Sequence, residues 1–418
     1  MNSTHGNKDL PIRTKGYPQN SLNTRGFVGA YLPVCPIRYG IDAQFTHLLF
    51  FYMKVESISL QNFKLFDNLD VSFKHQMLEE VSNQFLILGD NGTGKTTLLQ
   101  AIALPLALAT RQIQTLYDFD WIGFLPGRFW KWGKPRIQLE VSFENEEIEA
   151  TRVVAEKWYE AQSKEFQTEH EFVQPSGNAL TQLTLMGHYW KVGENTPAER
   201  LQFQGRYYAR ELFLSGETSV RPWFSKLPGI FWFDQFRNPG ANTTSESHFD
   251  PRKEGKGQMS FESGVGRLRE HLIRWKRRQN LGQPDYLKEL ETLYKSIFSG
   301  RSFVGIESMP SFESPTEEEE CFVLSDGHRT YDIVEMSAGE QSIIPFLYEV
   351  VRQQMAYSVV LIDEIDLNLH PPAAQSLIRH LPSISSTCQF IMTTHSEAVS
   401  NVINQNETWR LPGGSLCL

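Results

Sequence analysis

A glycine-rich stretch between a short apolar strand and an apolar helical pattern constrains this chain more than any other feature. Residues 85–88 are apolar, residues 89–96 read Gly-Asp-Asn-Gly-Thr-Gly-Lys-Thr, and the helical pattern follows at once. The order strand, glycine loop and helix is the context in which G-x-x-x-x-G-K-[ST] binds phosphate. Glycines let successive N–H groups turn toward an anion, and the helix N-terminus adds positive potential. The stretch predicts a nucleotide site rather than a glycine turn before an ordinary helix.

Two side chains of this loop carry specific roles in the prediction. Lys95 reaches the β- and γ-phosphates, and the Thr96 hydroxyl is a ligand for Mg²⁺. The predicted ATP-binding residues of the loop are Gly89, Asp90, Asn91, Gly92, Thr93, Gly94, Lys95, Thr96 and Thr97.

A second apolar strand, residues 359–362, ends in the acids Asp363 and Glu364. Asp363 at a strand end is expected to complete the Mg²⁺ shell with Thr96. Glu364 is predicted to be the general base toward the attacking water. Paired acids after a strand are common by chance, so their significance comes from the phosphate loop in the same chain.

Two more segments continue the pattern. Residues 335–341, Glu-Met-Ser-Ala-Gly-Glu-Gln, precede a helix and offer small residues and free N–H groups to an anion. Residues 390–396 form an apolar strand that ends in His395, about 30 residues after the acids. Alone, His395 favours a structural role, but in this order it is a predicted γ-phosphate contact.

The order of these motifs resembles that of ABC-type ATPase heads, and within them the SMC/RecF/OLD branch. Residues 55–64 resemble the opening strand of that branch. Residues 361–371, Leu-Ile-Asp-Glu-Ile-Asp-Leu-Asn-Leu-His-Pro, resemble the Walker B and D-loop text of OLD (overcoming lysogenization defect) proteins and related AAA ATPases. The resemblance covers about residues 53–150 and 230–410.

The resemblance implies an α/β P-loop NTPase: an ABC-ATPase head with a mixed central sheet, an antiparallel β subdomain and a helical signature lobe. It implies ATP and Mg²⁺ as cofactors. Two copies would sandwich two ATP molecules in a symmetric homodimer. The residues implied for this composite site are Ser337, Gly339 and Gln341 of the signature, His395 as switch histidine, Gln138 as the glutamine at the metal, and Asn368 and His370 near the dimer interface.

Some features depart from the wider family. The signature reads Ser-Ala-Gly-Glu-Gln rather than Ser-Gly-Gly-Gln, and the chain has no long heptad repeat for an SMC-type coiled coil. It continues for 23 residues after His395, so we expect it to lack the Toprim nuclease domain of full OLD proteins.

We therefore expect an ATPase whose ATP-dependent dimerisation drives a DNA-related process, either repair or antiviral defence, with a separate nuclease or other effector. One alternative is the nucleotide-binding subunit of an ABC transporter. Another is a scaffold that binds ATP without hydrolysing it.

Composition excludes several other classes. The net charge of −9 argues against a protein that coats nucleic acid over its whole surface, though not against a local basic patch. The four cysteines show no metal-ligand or disulfide spacing, which fits a reducing cytosol. No apolar run is long enough to span a membrane, and no secretory signal begins the chain. The expected location is the cytoplasm.

The chain divides into five predicted segments. Residues 1–52 are an irregular extension, and Met53 is a candidate true start, which mass spectrometry of the native amino terminus would test. Residues 53–154 begin the ATPase head, 155–229 are an insertion whose fold the sequence does not define, 230–335 are a helical region, and 336–418 complete the head.

Two segments of the sequence each allow two interpretations. The loop 121–132 interleaves aromatic and cationic residues, which is typical of a packed loop or of a surface that stacks on single-stranded nucleic acid. A predicted helix over 264–279 carries six cations against one acid, as in a solvated face or a contact for DNA or an acidic partner.

The remaining local predictions are a hairpin of strands 137–143 and 147–154, a buried strand within 229–237, a linker over 239–257, a helix over 286–298, and a solvated acidic loop at 317–320.

Overall fold

The computed structural model describes residues 52–75, 80–235, 261–279, 285–310 and 318–411, with the backbone alone described at 261–267, 310, 318 and 319. The strands are β1 Lys54–Phe63, β2 Phe66–Ser72, β3 Gln84–Leu88, β4 Arg136–Ser142, β5 Leu180–Met186, β6 Tyr189–Val192, β7 Gly229–Phe233, β8 Ser302–Pro310, β9 Glu318–Ser325, β10 Thr330–Asp332, β11 Ser358–Ile362, β12 Cys388–Thr394 and β13 Thr408–Arg410. The helices are α1 Lys95–Ala109, α2 Asn145–Glu160, α3 Lys164–Glu169, α4 Pro197–Leu201, α5 Gly205–Leu214, α6 Phe261–Arg278, α7 Tyr286–Ile297, α8 Ala338–Gln353, α9 Pro371–Ile384 and α10 Glu397–Ser400.

A parallel sheet of order β13-β3-β12-β11-β7 lies at the centre of the fold. Strands β7, β11 and β12 are buried along their whole length, which explains why their sequences are mainly apolar rather than alternating. The register places Leu88 beside Thr394 and Ile362 beside Met392. The carboxyl ends of these strands therefore meet at one edge of the sheet.

A second, antiparallel sheet of order β2-β1-β4-β5-β6 forms the predicted β subdomain. Helix α1 shares one core with both sheets and is apolar nearly all round, as expected of a buried helix. The buried amide of Gln389 on β12 fastens the two sheets, because it accepts from the Val55 N–H at 2.8 Å and donates to the Val55 carbonyl at 3.0 Å.

The signature lobe combines a small antiparallel sheet, β10-β9-β8, with helices α6 to α9 around one apolar core. The α/β P-loop fold predicted from the sequence is confirmed. The described pairs of the central sheet are all parallel, so the mixture of parallel and antiparallel pairing is divided among separate sheets.

The segment 155–229 contains the end of α2 and then α3, β5, β6, α4 and α5. Strand β5 pairs with β4 over its full length, so part of this segment is integral to the β subdomain. Its helices pack with α2 in a separate apolar cluster built from Val154, Tyr208 and Leu212 among others.

The predicted hairpin of 137–143 and 147–154 is wrong in its second half, because residues 147–154 lie in α2. Glu144 and Glu147 form a capping box at the start of that helix. The buried positions Glu147, Ile148, Thr151 and Val154 follow the helical period. Strand β4 instead pairs with β1 and β5.

Of the other local predictions, some are confirmed, one is wrong and two lie outside the described residues. The helix over 286–298 is confirmed as α7, and the buried strand within 229–237 is confirmed as β7. The acidic residues 318–320 belong to β9 and pair with β8, so the loop interpretation is wrong there. The extension to residue 51 and the linker over 239–257 lie outside the described residues.

Helix α6 confirms the predicted basic helix. Leu268 and Leu272 are fully buried, and Arg269 donates to Asp332 at 2.6 Å. Arg277 pairs with Glu320, while Arg274 and Arg278 are exposed. No helix in the described ranges is long and apolar enough to cross a membrane.

The buried carboxyl group of Glu147 gives a test of the α2 assignment. Its side chain has no exposed area, and burial raises its pKa well above the ordinary value. The unfolded chain ionises this group above about pH 4.5, so it lowers stability increasingly as pH rises. Glu147→Gln keeps an acceptor for the Glu144 N–H, which Glu147 Oε1 accepts at 2.7 Å. We expect a higher melting temperature whose gain grows from pH 5 to pH 8, measured by circular dichroism. A gain that does not change with pH would contradict the assignment.

Candidate nucleotide-binding site

The predicted site lies where three parallel strands end. β3 leads into the glycine loop, β11 into Asp363 and Glu364, and β12 into His395. Open α/β sheets place ligands at this edge because the loops after the strands converge there. The fold thus brings Lys95, Thr96 and these three side chains together.

The glycine loop adopts a conformation that needs glycine at two positions. Gly92 has φ 82° and Gly94 has φ 104°, both in the left-handed region. A Cβ on Gly94 would also lie 2.6 Å from Cζ of Phe66, at the start of β2. The β subdomain therefore packs directly against the glycine loop. The Lys95 ammonium is buried and donates to the carbonyls of Gly89 at 2.9 Å and Asp90 at 3.1 Å.

The Asp363 carboxylate is held between two threonine hydroxyls. Thr96 Oγ1 donates to Oδ2 and Thr393 Oγ1 donates to Oδ1, each at 2.7 Å. Burial raises the pKa of Asp363 above its ordinary value, since these hydrogen bonds offset only part of the desolvation. A cation beside it would favour the ionised form.

An oxygen donor set suits Mg²⁺, and Thr96 and Asp363 together supply one hydroxyl and one carboxylate. In the part of the chain that the structure describes, no cluster of three or more His, Cys, Asp or Glu side chains could hold a metal by itself. A Mg²⁺ held by Thr96 and Asp363 would therefore need further ligands, and ATP phosphates and water could supply them.

Glu364 connects the lysine to the histidine. Its Oε1 lies 3.2 Å from Lys95 Nζ and its Oε2 lies 2.9 Å from His395 Nδ1. Its backbone is in the left-handed region at φ 45°, which is uncommon for a residue with a side chain. Its N–H donates to Thr393 Oγ1 at 2.8 Å. One hydroxyl, that of Thr393, thus fixes both acids.

The signature segment begins α8 with a capping box. Ser337 Oγ donates to Glu340 Oε2 at 2.7 Å, and the Ser337 N–H donates to the same oxygen at 3.0 Å. The other oxygen of Glu340 accepts from the hydroxyls of Tyr294 at 2.5 Å and Tyr331 at 2.9 Å. Although burial raises the pKa of Glu340, the hydrogen bonds from Ser337 and the tyrosines hold it below the ordinary value.

The signature helix also meets the segment after Glu364. A Cβ on Gly339 would lie 3.4 Å from the carbonyl oxygen of Asn368, which itself has φ 61°. His370 is the N-cap of α9. Gln341 donates to the carbonyl of Val334 at 3.1 Å. The described contacts of Ser337 and Gln341 are therefore within their own lobe.

Gln138 lies on β4, opposite Ser59 of β1. Its Oε1 accepts from Arg136 at 3.1 Å, and it lines an open groove on the sheet with Ser57 and Glu140. Its described hydrogen bond is thus with its own strand, and the role at the metal stays a prediction.

Two functional candidates escaped the sequence reasoning. Thr393 could have been found from the Thr-Thr pair directly before His395 at a strand end. Glu340 could have been found as the fourth residue of a Ser-x-x-Glu capping box. The tyrosines that hold Glu340 come from α7 and β10, and they left no local signal.

Comparison with known proteins finds similar family models and relatives. A family model described as "AAA domain" matches residues 57–182, and another described as "AAA domain, putative AbiEii toxin, Type IV TA system" matches residues 276–401. The retron Ec83 probable ATPase of Escherichia coli is 22% identical over 409 residues, which span 87% of this chain and 72% of that protein. The retron Vc95 probable ATPase of Vibrio cholerae is 22% identical over 400 residues, 85% of this chain and 73% of the relative.

The Septu protein PtuA of Bacillus mycoides is 23% identical over 352 residues, which span 82% of this chain and 38% of that protein. Among solved structures, an SMC head bound to the C-winged helix domain of ScpA aligns with a TM-score of 0.41 and 14% identity, over 83% of this chain and 91% of that one. These matches support the predicted resemblance: the chain is similar to AAA-domain proteins and to retron ATPases.

The double role of Thr393 leads to a paired test. Thr393→Val removes the hydroxyl that serves Asp363 and the Glu364 N–H, and each unpaired buried group costs ~1–3 kcal/mol. We expect a less stable protein with at least about tenfold slower ATP turnover. Thr393→Ser keeps the hydroxyl and should retain most of the wild-type turnover in a phosphate-release assay. Equal turnover in the two variants would contradict the role of the hydroxyl.

Proposed function

We propose that this protein hydrolyses ATP at the site between β3, β11 and β12 and uses the bound nucleotide to join two copies of itself. The observation that supports this most is the placement of Lys95 within 3.2 Å of Glu364 while Thr96 contacts Asp363 at 2.7 Å. Cation, metal ligands and base candidate thus meet at a single sheet edge.

The proposed sequence of events begins with the contacts of Glu364. In the structure, Lys95 and His395 each contact one carboxylate oxygen of Glu364. A γ-phosphate attracts the same two groups, since both can donate to an anion. Their transfer to the phosphate frees Glu364 to accept a proton from the attacking water.

Mg²⁺, when bound at Thr96 and Asp363, supplies charge neutralisation to the phosphates. The chain's own contribution is positioning: Thr393 holds Asp363 and the Glu364 backbone, and the glycine loop would offer its N–H groups to the phosphates. His395 is half exposed, which leaves it free to turn toward the nucleotide.

The second half of the proposal concerns Ser337 and Gly339. The contacts described for this segment are within its own lobe, and its helix N-terminus is suited to an anion. We propose that it completes the site of a second copy, with Gln341, Asn368 and His370 at the same interface. An isologous dimer would then contain two equivalent composite sites.

The biological setting is proposed from the relatives. Retron and Septu proteins belong to antiviral defence systems, and three relatives of this chain carry those names. We therefore propose a role in defence, in which the ATP-dependent dimer controls a separate effector such as a nuclease and responds to nucleic acid.

The general-base assignment predicts the behaviour of Glu364→Gln. The amide cannot accept the proton, so ATP turnover should fall by about 100-fold or more in a steady-state assay. ATP binding should persist because Lys95 and the glycine loop are unchanged. The trapped nucleotide should then accumulate a dimer, measured by light scattering, which adding Ser337→Arg should abolish.

Two outcomes would refute parts of this proposal. Equally negligible turnover in wild type and Glu364→Gln would mean that the protein is not an ATPase. A Glu364→Gln variant that binds ATP but stays monomeric would refute the dimer for the isolated chain.

A further inference from the structure

The loop between α1 and β4, together with the first residue of β4, presents an exposed cluster of indoles and cations, which we call the indole–cation surface. From residue 121 to residue 138 the sequence contains four cations and no acid, although the whole chain has a net charge of −9. The members of the surface, all exposed, are Arg128, Trp130, Lys131, Trp132, Lys134 and Arg136.

The aromatic residues of this loop divide into two sets. Trp121, Phe124 and Phe129 are buried, and Phe129 packs edge-on against Phe63 of β1 at 5.8 Å between ring centroids. The packed-loop interpretation is therefore confirmed for these three. Trp132, by contrast, is 54% exposed. The buried set anchors the loop and leaves the indoles of Trp130 and Trp132 at the surface.

The cations of the surface lack acidic partners. Within the described part of the chain, Arg128, Lys131 and Lys134 form no ion pair, and Arg136 donates to the neutral amide of Gln138. The Lys131 ammonium lies 4.7 Å from the centroid of the Trp132 ring. An anionic ligand would therefore meet uncompensated positive charge beside an aromatic face.

The surface is held in place rather than loosely attached. Trp130 Nε1 lies 3.2 Å from His188 Nε2, and its ring covers Gly187 in the β5–β6 turn so closely that a Cβ there would lie 1.9 Å from it. On the other side, Gly133 has φ 118° and packs against Asn62. A preorganised aromatic platform loses little entropy on binding.

The loop is also tied to the helix of the phosphate loop. Gln100 on α1, five residues after Lys95, donates to the carbonyl of Ile122 at 3.3 Å. Lys64 donates to the carbonyl of Gly123 at 3.0 Å and also contacts Gln100. A ligand on the surface is thus joined to the nucleotide site through one helix.

We propose that the indole–cation surface binds single-stranded nucleic acid, with bases stacked on Trp130 and Trp132 and phosphates on the surrounding cations. Stacking on exposed aromatics within a basic groove is how proteins bind single strands without sequence preference. A duplex hides its base faces from such stacking, so the surface should discriminate against it. The binding of single-stranded nucleic acid does not depend on the proposed function. Only an effect of that binding on ATP turnover would rest on it.

Fluorescence anisotropy with a labelled oligothymidylate of about 16 nucleotides tests the proposal. The measurement is made without ATP. We expect wild type to bind the oligonucleotide more tightly than a duplex of equal length. Trp132→Ala should weaken binding about tenfold, while Trp132→Phe, which keeps a stacking face, should retain most of it. The double variant Lys131→Ala/Lys134→Ala should lower the slope of log affinity against log salt by about 1.4, or 0.7 per lost phosphate contact.

Two control variants carry matched changes elsewhere. Phe213→Ala removes an exposed aromatic side chain from α5, and Arg274→Ala/Arg278→Ala removes two exposed cations from α6. Both should bind the oligonucleotide as wild type does. A loss confined to the α6 variant would assign binding to that helix and overturn the proposal.

Other results would also overturn it. These are no oligonucleotide binding by wild type, unchanged binding by Trp132→Ala, equal affinity for the duplex, or binding to vesicles of anionic lipid in place of the oligonucleotide. The variant Lys95→Ala distinguishes a failure of the nucleic-acid proposal from a failure of the proposed ATPase function. It should lose ATP turnover yet bind the oligonucleotide normally, so each property can fail without the other.

Discussion

The buried carboxylate of Asp363 is the constraint around which the site is arranged. A charge with almost no exposed area is stable only when its oxygens are satisfied, and here Thr96 and Thr393 supply one hydrogen bond to each oxygen. These two threonines belong to the phosphate-loop helix and to β12. The need to satisfy Asp363 therefore fixes the phosphate loop, the acidic pair and the histidine strand in one arrangement, and Mg²⁺ would add a further partner at the same carboxylate.

A second buried carboxylate organises the other half of the proposed composite site. Glu340 caps the signature helix through Ser337 and is held from behind by Tyr294 and Tyr331. Gly339 lies against the Asn368 carbonyl, in the segment that follows Glu364. A shift of Glu364 relative to the nucleotide would thus move the segment that contacts Gly339. Gly339 belongs to the surface that we propose faces the second copy. The two carboxylates would thus link the proposed hydrolysis to the proposed dimerisation.

The sequence predicted those parts of the site that short, contiguous motifs define. The phosphate loop, Asp363, Glu364 and His395 each follow an apolar strand, and parallel strands of one sheet bring such residues to the same edge. The sequence did not predict Phe66 beneath Gly94 or the tyrosines behind Glu340, because those contacts depend on how separate lobes pack. The strand assigned to 147–154 was wrong since its alternating residues outweighed the capping box at Glu144 and Glu147. The pairing of β5 with β4 joins residues about 45 positions apart and has no local signal.

In the proposed dimer, one active site takes its phosphate loop from one copy and its signature from another. Mixing two inactive variants, Lys95→Ala and Ser337→Arg, tests it directly by ATP turnover. A mixed dimer would hold one intact site, built from the phosphate loop of the Ser337→Arg copy and the signature of the Lys95→Ala copy, so turnover should rise well above that of either variant alone. Turnover that stays at the level of the separate variants, while light scattering shows that mixed dimers form, would contradict the composite site.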